Sequence, residues 1–92
     1  MTRLTLPEIE DALKGLDGWT LEADTLTWSR TFSSFAEVFA LTTQVALLAE
    51  RRDHHPDIAL SYNRLTLRLT THDAEGITAR DLEFARALNV SL

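Results

Sequence analysis

The amino-acid sequence predicts an α+β fold, a two-layer sandwich in which three helices cover one face of a four-stranded antiparallel sheet. Two segments carry apolar residues at helical spacing, a third opens with a complete helix-entry signal, and four short segments alternate apolar with polar residues. Short connections join the first two strands and the last two, which predicts two hairpins and the order α-β-β-α-β-β-α. With 92 residues, the chain has the length of one small domain, residues 1–92.

The first helix and the first hairpin are predicted in the N-terminal third. The helix begins between Thr5 and Pro7, with Glu8 in its first turn. Its apolar residues have helical spacing: Ile9, Ala12, Leu13 and Leu16. A turn at Asp24-Thr25 separates two strands. The first strand carries Trp19 and Leu21, and in the second Leu26, Trp28, Arg30 and Phe32 alternate with polar residues.

A long second helix follows the hairpin. Ser34 and Glu37 form a capping-box signal at its start. One face is predicted to be buried: Phe35, Val38, Phe39, Thr42, Val45, Ala46 and Ala49. A second apolar set lies outside that face: Leu41, Leu47 and Leu48. A helix that is apolar on more than one face lies either deep in a core or at an interface. In a domain this small we expect an interface, and therefore a homodimer or homotetramer built through the long helix.

The C-terminal part contains the second hairpin and the last helix. Pro56 ends the long helix. The inward residues of the third and fourth strands alternate: Ile58, Leu60 and Tyr62, then Leu65, Leu67 and Leu69. Tyr62 shares this phase, so core packing is its expected role. The last helix has a complete entry signal, with Thr78 as N-cap, Asp81 at the third helical position and an Ile77–Leu82 hydrophobic staple.

Composition excludes several classes of function. A net charge of −5 argues against direct nucleic-acid binding, which needs clustered Lys and Arg. The pair Arg51-Arg52 fits the C-terminus of a helix better than a basic binding patch. No apolar run reaches the roughly 20 residues of a membrane helix, and the N-terminal segment lacks the apolar stretch of a signal peptide, so we expect a cytoplasmic protein without a membrane partner. The absence of cysteine excludes disulfides and thiolate chemistry.

The histidines are the candidate site residues. All three lie between positions 54 and 72: His54 and His55 follow the long helix, and His72 ends the fourth strand. Element termini are where functional side chains are often presented. His72 shares its phase with Arg68, not with the leucines, so its ring is predicted to project away from the core. The spacings typical of chelating histidines are missing, so no metal site is expected.

The same region carries a motif that resembles a known family. From Glu50 the pattern is Glu, three residues, His54-His55-Pro56, five residues, Tyr62, nine residues, His72, eight residues and Asp81. This resembles the signature of the pterin-4a-carbinolamine dehydratases, and it fixes residue types at set intervals over 32 positions. Gly18-Trp19, Val45-Ala46 and Gly76-Ile77-Thr78 are also similar to that family.

The resemblance implies dehydration of a 4a-hydroxytetrahydropterin to the quinonoid dihydropterin, as in tetrahydropterin recycling, by histidine acid–base catalysis without a cofactor. His54, His55 and His72 would be the catalytic histidines, with His54 and His72 the better candidates for general acid and base, in either order. His55 would chiefly bind and orient the pterin substrate, together with Pro56. Imidazole titrates near neutral pH and suits either role.

Two carboxylates of the motif, Asp81 and Glu50, each have a functional and a purely structural interpretation. Asp81 is either catalytic or only a helix cap, and one carboxylate can do both. Glu50 either supports His54 from one helical turn away and helps to hold the substrate, or is an exposed helix carboxylate.

A second function of another class stays open. The resemblance also implies a non-catalytic protein-binding, assembly or transcriptional-cofactor module that uses the apolar face of the long helix. Three histidines in the motif favour the enzyme, since binding alone does not need them.

Overall fold

A computed structural model describes residues 2–92 and confirms the predicted α+β class and element order. Its elements are α1 (Leu6–Leu13), β1 (Trp19–Glu22), β2 (Thr25–Thr31), α2 (Phe35–Arg52), β3 (Asp57–Ser61), β4 (Arg64–Leu69), a short 3-10 helix (His72–Ala74) and α3 (Ala79–Ser91). Within residues 2–92, no helix is both long enough and apolar enough to cross a membrane.

Polar N-caps fix where the helices begin. The Thr5 hydroxyl accepts the Glu8 N–H, and the Glu8 carboxylate accepts the Thr5 N–H, which is a complete capping box at α1. Thr78 and Asp81 form the second box at α3. At α2 the Ser34 hydroxyl accepts the Glu37 N–H at 3.1 Å. The polar signals at Ser34 and Thr78 therefore predicted the starts of α2 and α3, and α1 begins within the predicted range, between Thr5 and Pro7.

The two hairpins pair through their inner strands, so the order across the sheet is β1-β2-β4-β3. Trp28 of β2 lies opposite Leu67 of β4 at the centre of the sheet. The first hairpin turns at Ala23-Asp24, one residue earlier than predicted.

Tyr62 lies in the second two-residue turn, with a positive φ of 50° and 69% of its surface exposed. The prediction that Tyr62 packs in the core is wrong because β3 ends at Ser61, and the alternation of the strand does not continue into the turn.

The core lies between the sheet and the helices. Its buried apolar side chains come from every layer: Ile9 of α1, Trp19, Leu26 and Trp28 of the first hairpin, Val38 and Val45 of α2, Leu65, Leu67 and Leu69 of β4, and Phe84 and Leu88 of α3. Gly18 has a φ of 86°, and a Cβ there would come within 3.0 Å of the Trp28 indole nitrogen. Glycine therefore allows Trp28 to lie against the backbone that leads into β1.

The buried face of α2 agrees with the predicted one at Val38, Val45 and Ala49 and differs from it elsewhere. Leu41 and Leu48 are buried at 8% and 9% exposure, whereas Phe35 and Phe39 are 48% and 53% exposed. The core stripe is Val38, Leu41, Val45 and Leu48, at steps of three, four and three residues, together with Ala49, four residues after Val45. The predicted interface at Leu41 and Leu48 is therefore wrong. Of that set only Leu47, at 54% exposure, faces outward.

Candidate active site

Two loops meet at one end of the sheet because β3 and β4 are antiparallel neighbours. Asp57, the first residue of β3, lies opposite Arg68 near the end of β4. The segment His54-His55-Pro56 enters β3 at that end, and His72 follows β4 there. The hairpin therefore brings together histidines that are 17 or more positions apart in the sequence.

A left-handed residue ends α2 just before the first two histidines. Asp53 has a φ of 48°, and its N–H donates to the Glu50 carbonyl at 3.3 Å. The His54 N–H donates to the Ala49 carbonyl at 3.1 Å. These two bonds make a Schellman motif, usually built with glycine. The helix thus ends at Arg52, before Pro56 acts, and the chain turns His54 back toward α3.

The Asp81 carboxylate is completely buried and accepts hydrogen bonds from three segments of the chain. His54 Nε2 lies 2.5 Å from Oδ1. The Thr71 hydroxyl and the Thr78 N–H donate to Oδ2 at 2.8 and 2.9 Å. Since the Thr71 proton goes to Asp81, the Thr78 hydroxyl donates to Thr71 Oγ1, at 2.8 Å, and Thr78 Oγ1 in turn accepts the Arg80 N–H. Asp81 therefore caps α3 and also holds a histidine.

This contact orients the His54 ring. A carboxylate only accepts, so the proton of the short contact belongs to Nε2 of His54. The residue is 8% exposed, with its ring against the edge of Phe84 at 6.5 Å between centroids. Within residues 2–92, no buried side-chain nitrogen or oxygen lacks a partner, so Nδ1 of His54, which makes no protein hydrogen bond, is accessible to solvent. In the neutral ring with its proton on Nε2, Nδ1 is the nitrogen that can accept a hydrogen bond.

Glu50 contacts His55, not His54. Its Oε1 lies 3.3 Å from His55 Nε2, and both side chains are more than half exposed. The proposed support of His54 by Glu50 is wrong because Asp53 reverses the chain and points the two rings apart. Pro56 is buried and fixes the exit of the chain into β3.

His72 lies on the opposite wall, in a loop closed by two backbone hydrogen bonds. The Thr71 N–H donates to the Gly76 carbonyl at 2.9 Å, and the Gly76 N–H donates back at 3.4 Å. His72 begins the 3-10 helix three residues after Leu69, the last residue of β4, so it does not end the strand as predicted. Its side chain is exposed, which confirms that the ring projects away from the core.

These loops enclose a small cleft of about 220 Å³. Its lining contains all three histidines and several polar neighbours: Asp53, His54, His55, Thr70, Thr71, His72, Asp73 and Arg80. Sequence reasoning missed Arg80, whose guanidinium donates to the Asp53 carbonyl across the cleft. Nothing local marks Arg80, because its contact joins residues 27 positions apart. Within residues 2–92, no three histidine or carboxylate side chains are close enough together to hold a metal ion.

Comparison with known proteins gives the family. The sequence model described as pterin 4 alpha carbinolamine dehydratase matches residues 2–90. The chain belongs to the pterin-4a-carbinolamine dehydratase family. A relative from Gloeobacter violaceus, provisionally named a pterin-4-alpha-carbinolamine dehydratase, is 47% identical over 92 residues that cover 96% of this chain and all of the relative. One from Thermomicrobium roseum, also provisionally named, is 46% identical and covers 96% and 95% of the two chains.

Two solved structures place this family member among known folds. A transcriptional coactivator/pterin dehydratase from Brucella melitensis superposes with a TM-score of 0.92, at 40% identity over 97% of both chains. A pterin dehydratase-like protein described as a RuBisCO assembly factor of the alpha-carboxysome gives a TM-score of 0.64, at 19% identity over 78% of this chain and 83% of the other. The second likeness shows the shared fold alone.

Proposed function

We propose that this protein dehydrates a 4a-hydroxytetrahydropterin to the quinonoid dihydropterin, using its histidines as acid and base. The observation that carries the proposal is the arrangement of three histidines around one cleft, one of them held by a buried carboxylate. Membership of the dehydratase family and the names of its relatives support the same reaction. A cleft of about 220 Å³ suits a small bicyclic ring whose side chain stays outside.

The reaction needs two proton transfers at neighbouring atoms. The bond from C4a to the hydroxyl oxygen breaks, and the hydroxyl takes one proton and leaves as water. The adjacent ring nitrogen loses its proton as its electrons form the new double bond to C4a. One group must therefore donate a proton and another must accept one, and both can be imidazoles near neutral pH.

We assign these roles to opposite walls of the cleft. His54 keeps Nε2–H on Asp81, so we assign its accessible Nδ1 as the base that takes the nitrogen proton. His72 is exposed on the other loop, and we assign it as the acid that protonates the leaving hydroxyl. His55, beside Glu50 at the rim, is assigned to binding and orienting the pterin, with Pro56 fixing that segment. Neither step requires a cofactor or a metal ion.

The test is the decay of 4a-hydroxytetrahydropterin with and without purified protein, before and after treatment with a chelator. We expect acceleration that chelation does not change. The matched control is Arg86→Ala, which removes an exposed cation outside the cleft and should keep the full rate. A decay no faster than in buffer would refute the proposed reaction, and a rate lost on chelation and restored by zinc would refute the metal-free mechanism.

We further propose that the protein forms a homo-oligomer through the outward face of α2. Phe35 and Phe39 are about half exposed, with ring centroids 5.7 Å apart, and Leu47 continues the apolar surface along the helix. Exposed apolar side chains of this size are unfavourable in water, and their burial between two copies would stabilise the oligomer. Sedimentation at micromolar concentration should show a dimer or tetramer, and Phe35→Ser with Phe39→Ser should give monomers that remain folded. A parent protein that sediments as a monomer would contradict this.

The same face supports a second candidate function, docking of another protein. The Brucella melitensis structure carries the description transcriptional coactivator as well as pterin dehydratase. An enzyme and a binding module are separated by His54→Ala, which should abolish dehydration and leave binding through Phe35 and Phe39 intact. If the parent protein shows no dehydratase activity but captures a partner only while both phenylalanines are present, the binding function replaces the enzymatic one.

A further inference from the structure

The N-terminal segment of the chain lies against the far end of the loop that carries His72. The Leu4 N–H donates to the Ile77 carbonyl at 2.8 Å, and Arg3 Nη1 donates to the Glu75 carbonyl at 3.1 Å. These contacts join residues more than 70 positions apart in the sequence. The segment before α1 therefore packs on the loop that carries His72, outside the lining of the cleft.

Glycine at position 76 makes room for the arginine. A Cβ on Gly76 would come within 2.6 Å of Arg3 Cδ and 3.0 Å of Cγ. The aliphatic part of Arg3 thus lies directly on the loop backbone, and the guanidinium reaches past it to Glu75. Gly76 is buried even though Arg3 itself is exposed at the surface.

The loop needs holding at this point. Glu75 adopts a left-handed conformation with a φ of 56°, which is unfavourable for a residue with a side chain. Its N–H donates to the His72 carbonyl at 3.1 Å, so Glu75 and His72 are joined within one turn. The other end of the loop is fixed by the Thr71 hydroxyl on Asp81. The Asp81 network also reaches Thr78 beyond the loop, but it makes no bond to the Glu75 carbonyl, and Arg3 supplies the donor there.

The loop before His54 has the same construction. Asp53 is also left-handed, with a φ of 48°, and its carbonyl accepts a hydrogen bond from a guanidinium, that of Arg80. Each histidine of the proposed acid–base pair thus lies close to a left-handed residue whose carbonyl an arginine binds. Arg80 lines the cleft and Arg3 does not, so Arg3 acts from outside the site.

We infer that Arg3 is a positioning residue for His72, holding the Glu75 carbonyl so that the imidazole stays directed into the cleft. The inference rests on the proposed function, since it deepens the role given to His72. A catalytic group displaced by a fraction of an ångström to about 1 Å loses rate without any loss of substrate affinity, by up to roughly 100-fold. We expect Arg3→Ala to lower kcat roughly tenfold with an unchanged KM.

The test compares three substitutions at position 3 with one elsewhere. Arg3→Met keeps an aliphatic chain over Gly76 but removes the donor, and Arg3→Lys keeps both a chain and a donor. We expect Met to behave like Ala, and Lys to recover most of the rate. Arg86→Ala, which removes an exposed charge on α3, is the matched control and should leave kcat and KM unchanged.

A second readout does not depend on activity. In Arg3→Ala, the amides of Glu75 and Gly76 should exchange with solvent faster, and the imidazole NMR signals of His72 should shift while those of His54 stay in place. Unchanged exchange and His72 signals would overturn the inference, as would shifted signals with an unchanged kcat. If the parent protein shows no dehydration at all, the proposed function fails, and the NMR comparison alone decides whether Arg3 holds the loop.

Discussion

Asp81→Asn separates the structural role of the buried carboxylate from its role at His54. Asparagine has the same shape, and its amide oxygen can still accept from the Thr71 hydroxyl and the Thr78 N–H. Its NH₂ group, however, must then face His54 Nε2 and donate to it. The imidazole can accept only by moving its proton to Nδ1, which is the atom assigned to take the proton of the substrate.

The expected loss of stability is moderate. Hydrogen bonds to a charged group contribute about 1 kcal/mol more than neutral ones, so two retained bonds that become neutral lose about 2 kcal/mol together. A domain of this size has a free energy of unfolding of roughly 5–14 kcal/mol, so the variant should fold. Asp81→Ala is a poorer test because it leaves three buried donors without an acceptor. Each unsatisfied donor lowers the free energy of unfolding by about 1–3 kcal/mol, which together can unfold the protein.

The expected loss of rate is much larger. With Nδ1 protonated the base is missing, and a general base contributes roughly 10² to 10⁴-fold. The assay combines urea unfolding with initial rates of 4a-hydroxytetrahydropterin decay on one preparation. Glu8→Gln, at the matching position of the exposed capping box of α1, is the control and should keep the full rate. An Asp81→Asn protein with parental turnover would refute the tautomer argument and leave Asp81 as a helix cap.

Three further predictions concern single sites. His72→Ala should change the free energy of unfolding by less than about 0.5 kcal/mol, because the side chain is exposed. It should slow dehydration by roughly 10² to 10⁴-fold, and a stable, fully active variant would show that His72 is not catalytic. Asp53→Gly should raise the free energy of unfolding by about 0.5–1 kcal/mol, since glycine accepts the positive φ of 48°, and a lower urea midpoint would count against this account. The hydrogen bonds from the Thr5 N–H and, second, its hydroxyl lower the pKa of Glu8 below its ordinary 4.5. This carboxylate therefore stabilises the fold above its unfolded pKa, and the contribution is lost as the pH falls through the folded value; an NMR titration of Glu8 at or above 4.5 would contradict the capping box.

Local signals in the sequence were sufficient for most of the fold. Capping by Thr5, Ser34 and Thr78 depends only on residues within one helical turn, so the starts of the helices could be predicted without tertiary information. The alternation in β2 and β4 is equally local. Both strands lie in the middle of the sheet, where one face meets the core and the other does not.

The buried face of α2 could not be chosen from the sequence because two apolar stripes compete. Phe35 and Phe39 favour one face by size, while Leu41 and Leu48 form the other at equally good helical spacing. Which stripe is buried depends on how the sheet and α3 pack, and hydrophobicity does not encode that choice. Tyr62 was misplaced for a related reason, since alternation cannot show where a strand stops.

The candidate site could be predicted as a set of residues but not as a set of contacts. The motif identified His54, His72 and Asp81, yet the partner of each depends on backbone reversals such as the one at Asp53. Because of the same reversal, Glu50 contacts His55 instead of His54, and the Asp53 carbonyl accepts a hydrogen bond from Arg80 across the cleft. Contacts between residues far apart in the sequence depend on the complete tertiary fold, so patterns in a single sequence do not predict them.

The Asp81 carboxylate joins the end of α2, the loop after β4 and the start of α3, so the proposed catalytic geometry exists only while α3 is docked. If that helix partly detached, His54 would lose the hydrogen bond that fixes its tautomer, and the Thr71 hydroxyl would lose its acceptor at the same time. Turnover should therefore report on the last helix more sensitively than a global probe of folding does. Under mild denaturant, activity should disappear before the circular dichroism of the sheet, and shortening the chain from its C-terminus should abolish catalysis at a point where most of the fold survives.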